Sequence, residues 1–542
     1  MNSITIGILI GPEGLRKWQV ECLQVIRELP NIEVCCLVQK RENQLDKQKL
    51  TNQKVSFLSR IKRSIVAPKE MHVEEPPEWL FEIPYHGVSV EKKGYKEFFP
   101  QEDIQWIQSK KPDLLLRFGF GILAGRILNI TAHGVWSFHH GDLEKYRGRP
   151  PVFWEMLNQE NRVGITLQRL EEKLDAGNII EQGFVPVARG SFKKTLSLCY
   201  RQSVLLLKKA LIALEHDNLC YDKPGNLGQV YKNPNIRQLM ILVILLLKAK
   251  IAWFLEKAFW SYDWKVGLLN IKAITLEKEN AIEPEWLRGP EKGFFADPSF
   301  SPLDDNFIFV EEWLQNEAKG KITKVNLDNN EFSVILKEDF HLSFPKVYNV
   351  DDSYWLVPEM KENNKQGGYR LEADNTVAEK NYKTIKGVSG VDPIFYKHNE
   401  KWWAFVSPAD ESSCYHLNLY HADSFWGPYT SHSLNPVVID SYGGRMAGPI
   451  YEKKGIMYRF GQRFGKRYGE GIDIFEIEEL SKQGYQEKRL GSIVYSGAKK
   501  GKGIHSIEFG DGISLVDGYT LKFSWRAGID RILNYFRRYS NS

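Results

Sequence analysis

Cysteine is scarce in this chain: six among 542 residues (Cys22, Cys35, Cys36, Cys199, Cys220 and Cys414), with no CxxC pair and no spacing that suits zinc. A disulfide scaffold is disfavoured, no metal site is expected, and the cysteines read as reduced core residues of a cytoplasmic protein. An excess of one charge is also missing. Against 73 Lys and Arg stand 68 Asp and Glu, a net +5, which leaves no electrostatic footprint for nucleic acid. The first residues, Met1-Asn2-Ser3-Ile4-Thr5-Ile6-Gly7-Ile8, carry neither a basic n-region nor a small-residue cleavage site, so a first strand is expected there rather than a secretory signal. The turn Ile10-Gly11-Pro12-Glu13-Gly14 does not make the GxGxxG of a nicotinamide-binding fold. What is present, 42% apolar and 26% charged residues, is the composition of a globular chain long enough for two or three domains.

The pattern changes near residue 230. Before it, strand-like runs (Ile4 to Ile10, Ile32 to Val38, Asp113 to Leu116) alternate with helical stretches (Leu15 to Leu29, Glu102 to Ser109), which predicts an α/β domain with a parallel sheet. Beyond about residue 290, short aromatic strands (Asn306 to Glu311, Tyr354 to Val357, Lys401 to Val406, Ile456 to Phe460) are broken by Gly, Asn and Asp. These predict repeated antiparallel units, an all-β propeller. Between the halves lies the apolar run Leu239 to Leu247. Its nine residues fall short of the ~20 a spanning helix needs. A helix from about Arg237 to Phe259, buried between the domains, is expected, because one face cannot accommodate all of its apolar residues. The alternative is peripheral membrane contact through residues 237–259, with Lys248, Lys250 and Lys257 near headgroups at the inner face of the membrane.

The most informative stretch runs Gly134-Val135-Trp136-Ser137-Phe138-His139-His140-Gly141-Asp142-Leu143-Glu144-Lys145-Tyr146-Arg147-Gly148, followed by Gly164-Ile165-Thr166 and Leu174-Asp175-Ala176-Gly177. It resembles the formyltransferase family that uses 10-formyltetrahydrofolate, in its sugar N-formyltransferase branch, where Asn-x-His ends a strand and an Asp-x-Gly turn closes the site. Moving a formyl group to an amine needs a proton acceptor and stabilisation of an oxyanion, for which an imidazole beside a carboxylate is suited. The resemblance gives those roles to His139 and Asp175, residues that taken singly would read as a core histidine and a turn aspartate. Ser137 departs from the family, which carries an Asn there as an oxyanion donor, and losing such a donor lowers the rate ~10² to 10³-fold. His140, if its ring turned inward, would supply another donor, and Asp142 and Glu144 point to an altered acceptor pocket. Leu115 to Leu123 resembles the family's folate-binding strand and loop. There Gly119 and Gly121 would admit the pterin between Leu116, Phe118 and Ile122, and buried strand packing is the plainer account of the same residues.

In the second half, Phe295-Ala296-Asp297-Pro298, Phe344-Pro345-Lys346, Val357-Pro358-Glu359 and Val391-Asp392-Pro393 recur at strand positions expected of successive blades. They resemble the five-bladed propellers of furanose-cleaving glycosidases. Arg445-Met446-Ala447-Gly448-Pro449 and Tyr458-Arg459-Phe460-Gly461-Gln462 resemble more closely the N-terminal module of glucosamine inositolphosphorylceramide transferases. Paired carboxylates would suit glycoside cleavage, but the glycosidases' acid lies where this chain has Ala447. Asp297, Glu359, Asp392, Arg445 and Gln462 are therefore expected to bind a sugar without cutting it.

These readings divide the chain into a formyltransferase-like α/β domain (1–225), an apolar helical joint (226–264), a five-bladed propeller (265–530) and a tail (531–542). The expected function is formyl transfer from 10-formyltetrahydrofolate to an amine, of an amino sugar in cell-surface glycan synthesis. The alternatives are a carbohydrate-binding scaffold whose chemistry was lost with the Asn, and a glycoside-processing propeller.

Overall fold

The computed structural model describes residues 3–41, 67–315, 317–496 and 502–540, and the chain divides into two compact units, 1–250 and 251–542. The first unit is built on seven strands: β1 (Ile4–Ile10), β2 (Ile32–Lys40), β3 (Tyr85–Val88), β4 (Leu114–Arg117), β5 (Val135–His139), β6 (Arg162–Arg169) and β7 (Asn178–Pro186). Their order in the sheet is β7-β6-β5-β4-β1-β2-β3. β1 to β5 pair in parallel, and β6 and β7 continue antiparallel. β1 is apolar on both faces, with Ile6, Ile8 and Leu9 fully buried, as a central parallel strand covered by helices requires. One cover is α1 (Lys17–Glu28), which buries Trp18, Cys22, Leu23 and Ile26 and whose start is fixed by Gln19 accepting from the Arg16 amide at 2.9 Å. α2 (Gln101–Ser109) and the long α3 (Phe192–Glu215), capped by Ser191, complete the layers. The order in which strands are added reverses between β1 and β4, so the ends of these strands form the crevice where α/β sheets place ligands. The α/β architecture is as the sequence implies. One short strand, Gln229–Tyr231, lies beyond the expected boundary at 225 and pairs with Tyr146–Gly148.

The second unit contains, among the described residues, five mainly antiparallel sheets. Four begin at Gly293–Phe300, Ser343–Val350, Val391–His398 and Tyr442–Met446. The fifth joins the ends of the unit: Trp260–Asn270 pairs along its full length with Ile513–Phe523, beside Lys502–Phe509. Strand structure thus starts upstream of the expected 265. The repeat is visible in backbone geometry more than in sequence. Asp297, Phe344 and Asp392 each precede a proline in the opening strand of a sheet, with φ of +49°, +45° and +48°, and pairing to the next strand shifts at each.

Buried polar contacts join these sheets in cyclic order. Lys346 Nζ donates to Pro298 O (2.8 Å), Asp392 N to Glu359 (2.7 Å), Arg445 Nε to Asp392 (2.5 Å), Ile507 N to Ala447 O (2.7 Å) and Asp297 N to Asp517 (2.9 Å). They run first to second sheet, second to third, third to fourth, fourth to fifth and fifth to first.

The apolar joint is a helix, α4 (Ile236–Phe259), as the sequence predicts. Asn235 and Gln238 cap its start reciprocally, each accepting from the other's amide at 2.9 Å. It is not buried, however. Only 6% of its most apolar window is covered, and Met240, Val243, Leu247 and Ile251 are more than half exposed. Counting the nine-residue run alone also understated it, because the helix carries its apolar residues past Lys248 and Lys250 for 24 residues, long and apolar enough to cross a membrane by length and composition. A final helix, α5 (Trp525–Ser540), begins within the span expected to be propeller.

The most completely buried cation of the second unit is Arg459, fully shielded, which makes a bidentate pair with Glu487 at 2.6 Å and donates to Gly443 O at 2.7 Å. Removing one partner of such a pair strands the other. Arg459→Ala is expected to destabilise the second unit by ~3–5 kcal/mol, read as a lowered calorimetric transition. An unchanged transition would mean that Glu487 is fully solvated.

Candidate functional sites

In the first unit, Ser137 and His139 lie two residues apart on β5, so both point to the same face of the sheet. β4 runs beside them in a register that sets Arg117 against Ser137. Arg117 Nη1 donates to Ser137 Oγ at 2.7 Å and Nη2 to Phe120 O at 2.6 Å, while the buried Nε–H has no protein acceptor. Desolvation lowers the Arg117 pKa, against the pull of Asp175 and Glu97. A guanidinium therefore stands beside Ser137, on the strand next to the position where the resemblance expects an amide. Sequence reasoning passed over Arg117; the signal was a charged residue closing the otherwise apolar Leu114-Leu115-Leu116.

His139 is buried, and its Nε2 lies 2.7 Å from Tyr146 O. A carbonyl only accepts, so Nε2 carries the proton in the neutral ring and Nδ1 is the lone pair. Nδ1 faces Asp175 Oδ1 at 3.7 Å, beyond direct hydrogen bonding. Asp175 is held in turn: Gly148 N donates to its Oδ2 at 2.9 Å, and Arg147 donates to the backbone carbonyls of Leu174 and Asp175. This gives the Tyr-Arg-Gly motif a physical role. Arg147 pins the loop bearing Asp175, and at Gly148 (φ +93°) any Cβ would lie 2.1 Å from Tyr231 O.

Three expectations resolve differently. His140 points away from Ser137 and His139, packed among Trp18, Phe138 and Tyr200 and bonded to Ser203 at 3.0 Å. Burial drops its pKa to about 3, so it is a neutral core residue rather than an oxyanion donor. Asp142 and Glu144 bond to backbone, Asp142 accepting from the Glu144 amide in its own loop and Glu144 from the distant Gly225 N. Gly119 admits the chain's own backbone, since a Cβ there would sit 2.2 Å from Gly11 N, and Gly121 donates to the buried Glu97, which pairs with Lys40. Of the apolar wall, Leu116 is buried in the sheet, whereas Phe118 and Ile122 are partly exposed. Of the residues expected to hold a formyl donor, Ile122 is partly exposed and Phe118 packs edge-on against Trp18, the ring that also meets His140; the orphaned Arg117 N–H is the polar group open to a formyl oxygen.

In the second unit, the buried contacts gather all five residues expected to bind sugar around one acidic centre. Asp392 accepts from Arg445 Nε (2.5 Å), Arg445 Nη2 (3.2 Å) and Gln462 Nε2 (2.6 Å), and its amide donates to Glu359. Arg445 lies over the ring of Tyr468, whose hydroxyl is hydrogen-bonded to His505 Nε2. His505 Nδ1 lies 3.2 Å from both Asp297 and Asp517. Gln462 Oε1 is buried without a partner. His505, Asp517 and Tyr468 escaped sequence reasoning because no local motif marks them. Ala447 is fully buried in an apolar cluster with Phe460 and Ile507.

Such an acid-rich interior must hold protons. Burial and the neighbouring Asp392 push Glu359 up to about 8, and burial and Asp297 raise Glu311 well above the carboxylate range. Burial also works against ionised Asp392, but Arg445 outweighs it and holds that carboxyl low. His505 is driven the other way. Burial disfavours its charge, yet Asp517 and Asp297 lift it to about 10. Asp297, His505 and Asp517 are, among the described residues, one group whose ligand atoms lie close enough together for a metal. The proton on His505 Nδ1 occupies the place between the two carboxylates that such an ion would take.

Both His505 and Glu359 have folded pKa values raised above their ordinary 6.5 and 4.5. The stability they contribute is complete below those ordinary values. It is lost as pH rises through about 8 for Glu359 and about 10 for His505. The calorimetric midpoint of the second unit is therefore expected to fall between pH 6.5 and 10, with a shallower fall in His505→Gln. A midpoint that stays level across this window would contradict the assigned protons.

Comparison with known proteins agrees with this division. Residues 38–203 match the family model "Formyl transferase", and residues 289–508 match "Glucosamine inositolphosphorylceramide transferase 1, N-terminal". Glucosamine inositolphosphorylceramide transferase 1 of Oryza sativa subsp. japonica is 27% identical over 274 residues, 44% of this chain and 36% of that protein. Bifunctional polymyxin resistance protein ArnA of Wigglesworthia glossinidia brevipalpis is 36% identical over 135 residues, 23% of this chain and 20% of that protein. A sugar N-formyltransferase structure from a Shewanella species aligns with 44% of this chain and 87% of its own, at 14% identity and a TM-score of 0.30. The chain spans about a third or less of the length of these curated relatives. In sequence order the chain is similar first to formyl transferases and then to the N-terminal region of glucosamine inositolphosphorylceramide transferase 1.

Proposed function

We propose that the first unit transfers a formyl group from 10-formyltetrahydrofolate to the amine of an amino sugar, with Arg117 in the role the family gives to Asn. The observation that carries this reading is the juxtaposition of Arg117 and Ser137 with His139 and Asp175 at the ends of β4 and β5. When bound, 10-formyltetrahydrofolate supplies the electrophilic formyl carbon. Ile122 would contact it, with Phe118 behind against Trp18, and the free Arg117 Nε–H would bind the oxygen on which negative charge develops. His139 Nδ1 takes the proton lost by the attacking amine, and Asp175 stabilises the resulting imidazolium while its loop is clamped by Arg147.

Formyl transfer to nucleotide-linked amino sugars tests the assignment. His139→Ala and Asp175→Asn are expected to lower kcat ~10² to 10⁴-fold, and Arg117→Met ~10² to 10³-fold. Ser137→Asn is expected to slow the reaction, because the larger side chain displaces a guanidinium only 2.7 Å from Ser137 Oγ. Faster transfer by Ser137→Asn would mean that Arg117 does not replace the amide.

For the second unit we infer a closed five-bladed propeller that binds the sugar part of the acceptor at its acidic centre. The cyclic order of contacts between the five sheets supports closure, and the unsatisfied Gln462 Oε1 beside Asp392 and Arg445 supports binding. A second reading, glycoside cleavage, is favoured by one observation: Glu359 is protonated at neutral pH beside an ionised Asp392, the division of labour between acid and base that such chemistry uses. Calorimetry with arabinan, xylan and amino-sugar oligomers is expected to show binding that weakens at least tenfold in Gln462→Ala, with no reducing ends released. Release that disappears in Glu359→Gln would establish cleavage instead.

A further inference from the structure

We propose that α4 and the start of α5 form a membrane-docking surface that lies in the headgroup region of an anionic bilayer. The proposal is independent of the formyl-transfer reading. At about 100° per residue, Met240, Val243, Ile244, Leu247, Ile251 and Phe254 fall within one arc of about 100° on α4, and all six are exposed. Elsewhere on the helix Leu242 is buried, the loop at Gly190 approaches Leu246 and Lys250 so closely that a Cβ there would lie 2.4 Å from Lys250 Cγ, and Trp253 is exposed. The helix thus exposes a continuous apolar stripe along its length, with Ile241, Trp253 and Leu255 exposed outside it. A stripe of this size and length left in water has no physical support from its own chain.

The charges decide its occupant. Lys248 flanks one margin of the stripe and Lys250 and Lys257 the other, where long side chains can reach phosphate while their stems stay with the apolar face. Lys248 and Lys250 also sit at the middle of the 24-residue helix, the depth at which a spanning helix least tolerates charge. An arrangement lying in the membrane plane accommodates both lysines; a span buries them.

The neighbouring elements continue the surface. Arg531 Nη1 donates to Ala258 O and Trp260 O at 3.0 Å, tying α5 to the last turn of α4. Phe259 packs against Phe523 and Trp525. α5 then exposes Trp525, Ile529 and Leu533 at four-residue spacing on one face, beside exposed Arg526. Indole rings at the border of an apolar patch and basic residues are the chemistry of the membrane–water interface.

Flotation of the full chain with vesicles tests this. With phosphatidylcholine and phosphatidylglycerol at 7:3 the protein is expected to float, and replacing Lys248 and Lys250 together by Ala is expected to lower partitioning about 25-fold, about fivefold for each lysine. The combined variant Met240→Glu, Leu247→Glu, Ile251→Glu should lose at least tenfold on the same vesicles. Its substitutions are exposed, so its circular dichroism and calorimetric transitions should match those of the parent, and Trp525→Glu with Ile529→Glu provides a second test on a separate element. Failure of the parent to float, or equal flotation of the acidic variants, would overturn the proposal. A parent dimer that becomes monomeric in the acidic variant without any vesicle binding would assign the stripe to a second copy. Protection of one terminus from external protease would establish a span instead.

Discussion

The second unit depends on where its buried protons sit. Asp297, Glu311, Glu359, Asp392 and Asp517 converge in an interior where each is buried, with His505 and Arg445 as cations beside them. Five ionised carboxylates could not coexist there. Two of them, Glu311 and Glu359, retain protons, and one imidazole keeps a proton it would ordinarily lose near neutrality. That distribution permits the opening strands of successive sheets to approach one another, because each strand brings a polar group to the same interior. An apolar interior of the same volume would be at least as stable. What the ionic set adds is a fixed order of neighbours, since Asp392 is complementary to Arg445 and Lys346 to Glu508, and neither pairing survives a shift of one sheet.

The first unit solves a different problem, that of holding a carboxylate near an imidazole without neutralising it. Asp175 is not bonded directly to His139. Its Oδ2 is satisfied by the Gly148 amide and its loop by Arg147, and both belong to the Tyr-Arg-Gly segment. The same segment supplies the Tyr146 carbonyl that fixes the tautomer of His139. Three consecutive residues therefore control both members of the pair, which explains physically why the motif sits between them in the chain.

How far the sequence was legible follows the range of the forces involved. Helix and strand positions emerged from local periodicity, and β1 was located to the residue because a buried parallel strand is apolar throughout. His139 and Asp175 were found because a linear motif carries them. Arg117 was missed, since its relation to Ser137 exists only through the pairing of β4 with β5, and the glycines at 119 and 121 were read as spaces for a ligand when the chain itself fills them. His505 and Asp517 were invisible for the same reason: each acquires its chemistry from Asp297, more than 200 residues away in sequence. α4 shows the reverse error. Its helix was evident from composition, but burial was inferred from apolarity alone, and apolarity does not say what medium covers a surface.

That last distinction bears on how a departure from a family pattern should be read. Ser137 taken alone is a deletion, the loss of an amide donor. With its neighbour on β4 it is one half of an exchange, in which a shorter side chain makes room for a guanidinium carrying several donors and a permanent charge. The electrostatics differ in kind. An amide offers a dipole, whereas in the proposed reaction Arg117 would offer a positive charge to the oxygen that becomes negative, in a site where Asp175 and Glu97 compensate it. The desolvation that makes this cation costly in the resting protein is the same condition that strengthens its attraction for an oxyanion. On the proposed reading the substitution is therefore a change in how charge is stabilised at the end of β5, and it follows from register rather than from any residue read singly.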